Sequence, residues 1–208
     1  MYKPFSYQSN SIILVSDELL EDADFDVEDF IYQMFVHSIA KAEEAAFFTG
    51  DGKGNPVGIV YQAEVGKVID KAADLSFDDL IDLIFSVKEP YRKNAVFILS
   101  EDTEVKLKKL GLYDGNPAWL NSLDEDAPDT LLGYPVYVTN EMPDADVGSK
   151  PILFGDFSYF WIGERGKRSV KRLVERYADH GQVAYITSER VDAKLVLPEA
   201  VKCLEVKA

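Results

Sequence analysis

Two histidines and one cysteine in 208 residues leave little material for metal binding, nucleophilic catalysis or disulfide stapling. Neither His37 nor His180 stands at the spacing of a paired metal-ligand motif, and His37, beside Met34 on a helical stripe, reads as a half-buried structural side chain. Cys203 lies in the strand-like run Ala200 to Val206 and has no second cysteine to pair with, so a reducing compartment is the simplest setting. Basic residues are also scarce. The 22 Lys and Arg face 37 Asp and Glu, a net charge of −15 that repels polyanions and ranks nucleic-acid recognition low. No apolar run approaches membrane length, and Met1-Tyr2-Lys3-Pro4-Phe5 lacks the apolar region of a secretory signal, so no membrane role is expected. With no Gly-x-Ser-x-Gly elbow either, no catalytic, metal or cofactor site is expected.

The longest readable element runs from Val27 to Phe48. Val27, Phe30, Ile31, Met34, Phe35, Ile39, Ala42, Ala45 and Ala46 recur at helical spacing, while Glu28, Asp29, Gln33, Lys41, Glu43 and Glu44 fall mostly outside that stripe. Asp26 is a suitable N-cap, and Glu28 and Asp29 oppose the positive end of the helix dipole. Twenty-two helical residues span roughly 33 Å, so this helix serves as a strut. Gly50 to Gly58 ends it. That stretch invites a phosphate-loop reading, but it follows a helix, lacks the Gly-Lys-Ser/Thr ending and breaks calcium-loop spacing, so a sharp turn is the better reading. Glu43 and Glu44 are adjacent and point apart, as on a solvated face.

Around the strut, strands are expected over Phe5 to Val15, Ile59 to Val68, Asn94 to Leu99, Leu131 to Val138, Ile152 to Asp156, Tyr159 to Ile162, Val170 to Tyr177, Val183 to Thr187 and Ala193 to Leu197. Ser76 and Asp79 form a capping-box pattern at the start of a second helix that Pro90 stops, and a third runs from Ser100 to Leu110. Gly111 to Asp129 reads as a long irregular loop, a kind usually functional or ordered by a partner. Helices and strands alternate through the middle and long strands follow, which argues for α+β with two lobes.

One cluster departs from the overall acidity: Arg165, Lys167, Arg168, Lys171, Arg172 and Arg176. They suit the solvent face of a two-faced sheet; the sharper reading pairs them with Glu18, Glu21, Asp22 and Asp24 of a neighbouring subunit.

The order Val15-Ser16-Asp17-Glu18-Leu19-Leu20-Glu21-Asp22, the helix ending Ala45-Ala46-Phe47-Phe48-Thr49-Gly50-Asp51-Gly52, Asn55-Pro56-Val57-Gly58-Ile59, Thr130 to Val136, Leu153-Phe154-Gly155-Asp156-Phe157 and Glu189-Arg190-Val191-Asp192 resembles the major capsid proteins of tailed bacteriophages with the Hong Kong ninety-seven fold. The resemblance runs from about Ile13 to the C-terminus. It implies a long-stranded peripheral lobe with the spine helix (27–48), from residues 1–59 and 151–190, and a mixed α/β axial lobe from 60–150 and 191–208. It also implies self-assembly into hexamers and pentamers of an icosahedral shell around double-stranded DNA, with only non-specific DNA contact, and with portal, scaffold or maturation protease as further partners. The virion would be its location, after assembly in the bacterial host cytoplasm. The Gly111 to Asp129 loop would lie near the capsomer axis.

Family members carry an N-arm and a complete extended loop before the spine helix; here Phe5 to Val15 alone could represent them. Gly181 and Ser188 stand where the best-known member has its crosslinking asparagine and glutamate, and the loop lysine is missing, so no autocatalytic crosslinking is expected. The alternative is an encapsulin-like compartment protein enclosing cargo enzymes. An enzyme with an unrecognised α+β site is the least supported reading.

Overall fold

The computed structural model describes residues 7–113, 116–122, 124 and 127–207. The chain opens with strand β1 (Tyr7–Ser16); residues 5 and 6 of the expected strand lie outside the described part. Ser16 then caps helix α1 (Asp17–Asp22), its side chain accepting from Leu19 N. The strut is helix α2 (Val27–Thr49), and its caps are local, as the sequence implied. Asp26 accepts a hydrogen bond from Asp29 N at 3.0 Å, and the Gly50 N–H donates to Ala46 O at 3.1 Å. The glycine stretch beyond is a turn closed on itself. Asp51 Oδ1 accepts from Lys53 N and Asn55 Oδ1 from Gly52 N.

Ile59 to Val68 is not one strand. Ile59–Gln62 forms the short helix α3, and strand β2 (Glu64–Ile69) follows. One side chain ties the helix to its surroundings: the Gln62 amide donates to Val57 O, and its Oε1 accepts from Leu195 N at 2.9 Å. Helix α4 (Phe77–Ser86) starts at the expected capping box, with Ser76 and Asp79 each accepting from the other's backbone N–H. It ends before Pro90, which instead opens the short helix α5 (Glu89–Arg92), where a missing N–H costs nothing. Strand β3 (Val96–Leu99) and helix α6 (Glu101–Leu110) come next.

The Gly111 to Asp129 stretch, part of which lies outside the described residues, is less irregular than its composition implies. Strands β4 (Leu112–Tyr113) and β5 (Asn116–Pro117) pair, and β6 (Trp119–Leu120) joins β7 (Thr130–Leu131). Asp129 accepts from Ser122 N at 2.8 Å and from Trp119 Nε1 at 2.9 Å, bonds that hold its carboxyl below the usual range. Leu132 and Gly133, with φ of 50° and 85°, then turn the chain tightly into β8 (Tyr134–Val138), so the expected single strand is a hairpin.

Strand β9 (Ile152–Gly155), β10 (Phe160–Glu164), β11 (Ser169–Leu173), β12 (Gln182–Leu195) and β13 (Val201–Val206) complete the chain. The two strands expected at Val183 to Thr187 and Ala193 to Leu197 are one 14-residue strand.

Two compact units result, residues 1–56 with 162–193 and residues 57–161 with 194–208. The first holds β12 at the centre of its sheet. β1 pairs antiparallel with β12 from Tyr7↔Val191 to Ser16↔Gln182, β11 pairs with the other edge from Ser169↔Ser188 to Leu173↔Ala184, and β10 also neighbours β12. Its core joins Val15, Val27, Ile31, Phe35, Val183 and Tyr185. The second unit carries a seven-stranded sheet in the order β2-β13-β9-β3-β8-β7-β6, with Leu80, Leu83, Phe97, Leu99, Leu107 and Phe154 buried in its core. The second unit takes in β9, which lies between β3 and β13 in its sheet.

Candidate assembly interface

The acidic candidates lie where the chain first turns. Glu18, Glu21 and Asp22 belong to α1 and Asp24 to the link before α2; all four are exposed, and none forms an ion pair among the described residues.

The six cations divide into two groups. Arg165, Lys167, Lys171 and Arg176 are exposed and form no ion pair among the described residues, although the Arg176 guanidinium lies 5.6 Å from the Tyr177 ring centroid. Arg168 and Arg172 are already engaged within the chain. Arg168 Nη2 donates to Glu43 at 2.6 Å and to Glu164 at 3.2 Å, and its Nε lies 3.3 Å from Glu189 Oε2. Arg172 lies 3.2 Å from Glu28, which also accepts from the Tyr185 hydroxyl at 2.9 Å. Burial first, and that bond second, push Tyr185 up to about 12. None of the six cations meets Glu18, Glu21, Asp22 or Asp24 within the described part of the chain.

Two side chains, Glu43 and His37, depart from their sequence reading, and a further carboxylate lies deep in the fold. Glu43 is not on a solvated face: its side chain is 15% exposed and bound to Arg168. Glu189 is buried, its carboxyl raised by desolvation and by Glu43. His37 is exposed, as is Met34, because the buried face of α2 is narrower than the apolar stripe and is formed by Val27, Ile31 and Phe35.

Exposed apolar residues of α2 flank the buried face on both sides, Phe30 and Met34 on one and Tyr32 and Val36 on the other. Phe30, Tyr32, Met34 and Val36 are all more than two-fifths exposed, and Phe30 stacks edge-on against exposed Phe25 at 6.0 Å. A helix apolar on more than one side ordinarily has more than one partner, which was the available signal. The buried Cys203 thiol, raised by desolvation, lies 3.5 Å from Glu64 O inside the second unit. Among the described residues no three His, Cys, Asp or Glu gather as a metal would need, and no helix is long and apolar enough to cross a membrane.

Comparison with known proteins gives this arrangement a family. The major capsid protein of Klebsiella oxytoca phage phiKO2 is 30% identical over 174 residues, covering 77% of this chain. The chain spans 40% of that relative's length. The solved capsid of an empty GTA particle superposes with a TM-score of 0.84 at 29% identity, over 98% of this chain and 74% of that one. The holo-SrpI encapsulin complex from Synechococcus elongatus PCC 7942 shares the fold at 16% identity, with a TM-score of 0.75 over 97% of this chain and 74% of its own. These likenesses bear out the α+β Hong Kong ninety-seven fold expected from the sequence. The phage capsid family model matches residues 5–206, and the chain belongs to that family.

Proposed function

We propose that this chain is the structural subunit of a phage or prophage head, assembling with copies of itself into hexamers and pentamers that close an icosahedral shell around double-stranded DNA. The observation that carries this reading is the family match from residue 5 to 206, and the phiKO2 relative, a major capsid protein, supports it. The role is architectural rather than catalytic. Residues 57–161 with 194–208 would form the axial lobe and the unit holding α2 the peripheral lobe, with the virion as the chain's destination. Portal, scaffold and maturation protease of the same particle are the further partners this implies. The encapsulin likeness, at 16% identity, carries the fold alone.

The charges that form no ion pair among the described residues fit a contact between subunits. Arg165, Lys167, Lys171 and Arg176 of one copy would face Glu18, Glu21, Asp22 and Asp24 of the next, and exposed pairs of this kind fix register and encounter rate more than stability. Replacing the four cations with glutamate should leave the fold intact and prevent association. Light scattering with negative-stain microscopy checks both points: rings or shells are expected for the natural chain and a species near 23.3 kDa for the variant. A natural chain that stays at that mass at every concentration would overturn self-assembly by this stretch of sequence.

A further inference from the structure

The densest charge cluster of the first unit involves residues that the interface reading does not need. One guanidinium, Arg168 in the turn between β10 and β11, meets three carboxylates: Glu43 from α2, Glu164 from the end of β10 and Glu189 from the middle of β12. One positive charge faces three ionisable acids, so full ionisation leaves the cluster two charges negative. The three are not equally placed. Glu164 is half exposed, Glu43 mostly covered and Glu189 almost fully buried, with side-chain exposures of 54%, 15% and 3%. Glu189 is also the least satisfied: among the described residues neither of its oxygens has a hydrogen-bond partner, and the Arg168 Nε contact at 3.3 Å is ion-pair proximity without hydrogen-bond alignment. The position opposite Glu189 on β1 is Ser9, and Ser169 of β11 stands opposite the neighbouring Ser188, so these two strands bring no charge at those positions.

An ionised, buried carboxylate without hydrogen bonds, beside a second carboxylate, is costly, and a single shared cation offsets only part of that cost. Protonation removes one of the three negative charges and gives Glu189 an O–H that a neighbouring carboxylate can accept. We propose that Glu43, Glu164 and Glu189 around Arg168 form a proton-operated clasp joining the C-terminal part of α2 to β12 and to the β10–β11 turn, closed when Glu189 is protonated and weakened when it ionises. The direction of titration agrees. Desolvation first and the Glu43 charge second raise Glu189 above the ordinary glutamate range, while Arg168 pulls the other way. For an acid raised in the folded state, the associated stability is fully present below the unfolded value and is lost as pH rises through the folded one. The window of the clasp therefore opens at the ordinary glutamate value, about 4.3, and extends upward.

The test is thermal unfolding of the full chain against pH for the natural protein, Glu189→Gln and Glu164→Gln. Reading the difference between proteins removes the contribution of every other carboxylate. Well below pH ~4.3, where the linked stability is fully present, Glu189→Gln should match the natural chain. By pH ~8 it should unfold on the order of 2–4 °C higher, the shift expected of a modest stabilisation at this chain length. Glu164→Gln, which leaves the Glu43 bond to Arg168 in place, should flatten the same dependence by a smaller amount. Hydrogen exchange corrected for its intrinsic pH dependence should show residues 165–168 opening with rising pH in the natural chain and not in Glu189→Gln. A Glu189→Gln curve parallel to the natural one would overturn the clasp. So would an unchanged slope in Glu164→Gln, should the first variant fail to fold.

Discussion

Substituting Gly155 with alanine is expected to destabilise the protein by roughly 3–5 kcal/mol, combining backbone strain with overpacking between strands. Gly155 ends β9 at φ 152°, a conformation L side chains rarely adopt. An added Cβ would stand 2.1 Å from Ala200 O and 2.6 Å from Val201 Cα. Both are backbone atoms, so no rotamer change relieves the contact. The site is also central, since Gly155 lies opposite Val201 on β13 and Val96 on β3, and pushing either away opens the seven-stranded sheet from the middle. At about 2–4 °C per kcal/mol the melting temperature should fall by roughly 10 °C. Gly163→Ala is the matching control: its added Cβ would meet nothing closer than Asp192 O at 4.0 Å, and it should change stability by no more than about 0.5 kcal/mol. Similar melting curves for the two variants would contradict the assigned role of Gly155.

Phe97→Ala should cost a comparable amount, about 3–5 kcal/mol, by a different route. Phe97 is fully buried on β3 and its ring meets Phe154 at 4.5 Å and Tyr134 at 6.3 Å, while Phe154 and Tyr134 stand 5.0 Å apart edge-on. These three rings come from adjacent strands β3, β9 and β8, so each is held by paired backbone and cannot swing into the vacated space. Denaturant titration measures the loss; an unchanged slope with a lowered midpoint would show a cavity in an otherwise intact fold. Replacing Phe85, 68% exposed, by alanine should cost far less.

The elements that could be read in advance were those whose causes are local. The ends of α2 follow from Asp26 and Gly50, and the start of α4 from Ser76 and Asp79, all within one turn of what they cap. Which face of α2 is buried was not legible. Phe30 and Met34 fit the helical period as well as Ile31 and Phe35, and only the sheet behind the helix tells them apart. The helix Ile59 to Gln62 is tied to Leu195, 133 residues away, by a bond that no window on the sequence contains. Ser188 to Asp192 falls between the two strands expected at Val183 to Thr187 and Ala193 to Leu197. It is the middle of β12, and its buried carboxylate is tolerated beside an arginine from another strand's turn. The cation cluster was visible as composition, but its division into ion-paired Arg168 and Arg172 and into Arg165, Lys167, Lys171 and Arg176, which form no ion pair among the described residues, depended on Glu43 and Glu28, over a hundred residues upstream.

The pairing of β1 with β12 sets a schedule for the nascent chain. β1 leaves the ribosome long before its partner, which is complete only when residue 191 has been made. Closing a loop of that length is entropically slow, and sheets built from such distant segments fold late. Until then β1 has no partner in this sheet, and Ile12 and Leu14, still half exposed in the finished fold, alternate with Ile13 and Val15 that have yet to find their core. A strand whose residues Ile12 to Val15 are apolar on both faces is adhesive, and during synthesis the readiest complementary surface is the same strand of another nascent copy. Crowded polysomes translating this message therefore favour misassociation through β1, and the yield of folded subunit depends on how quickly residues 182–191 follow residues 7–16.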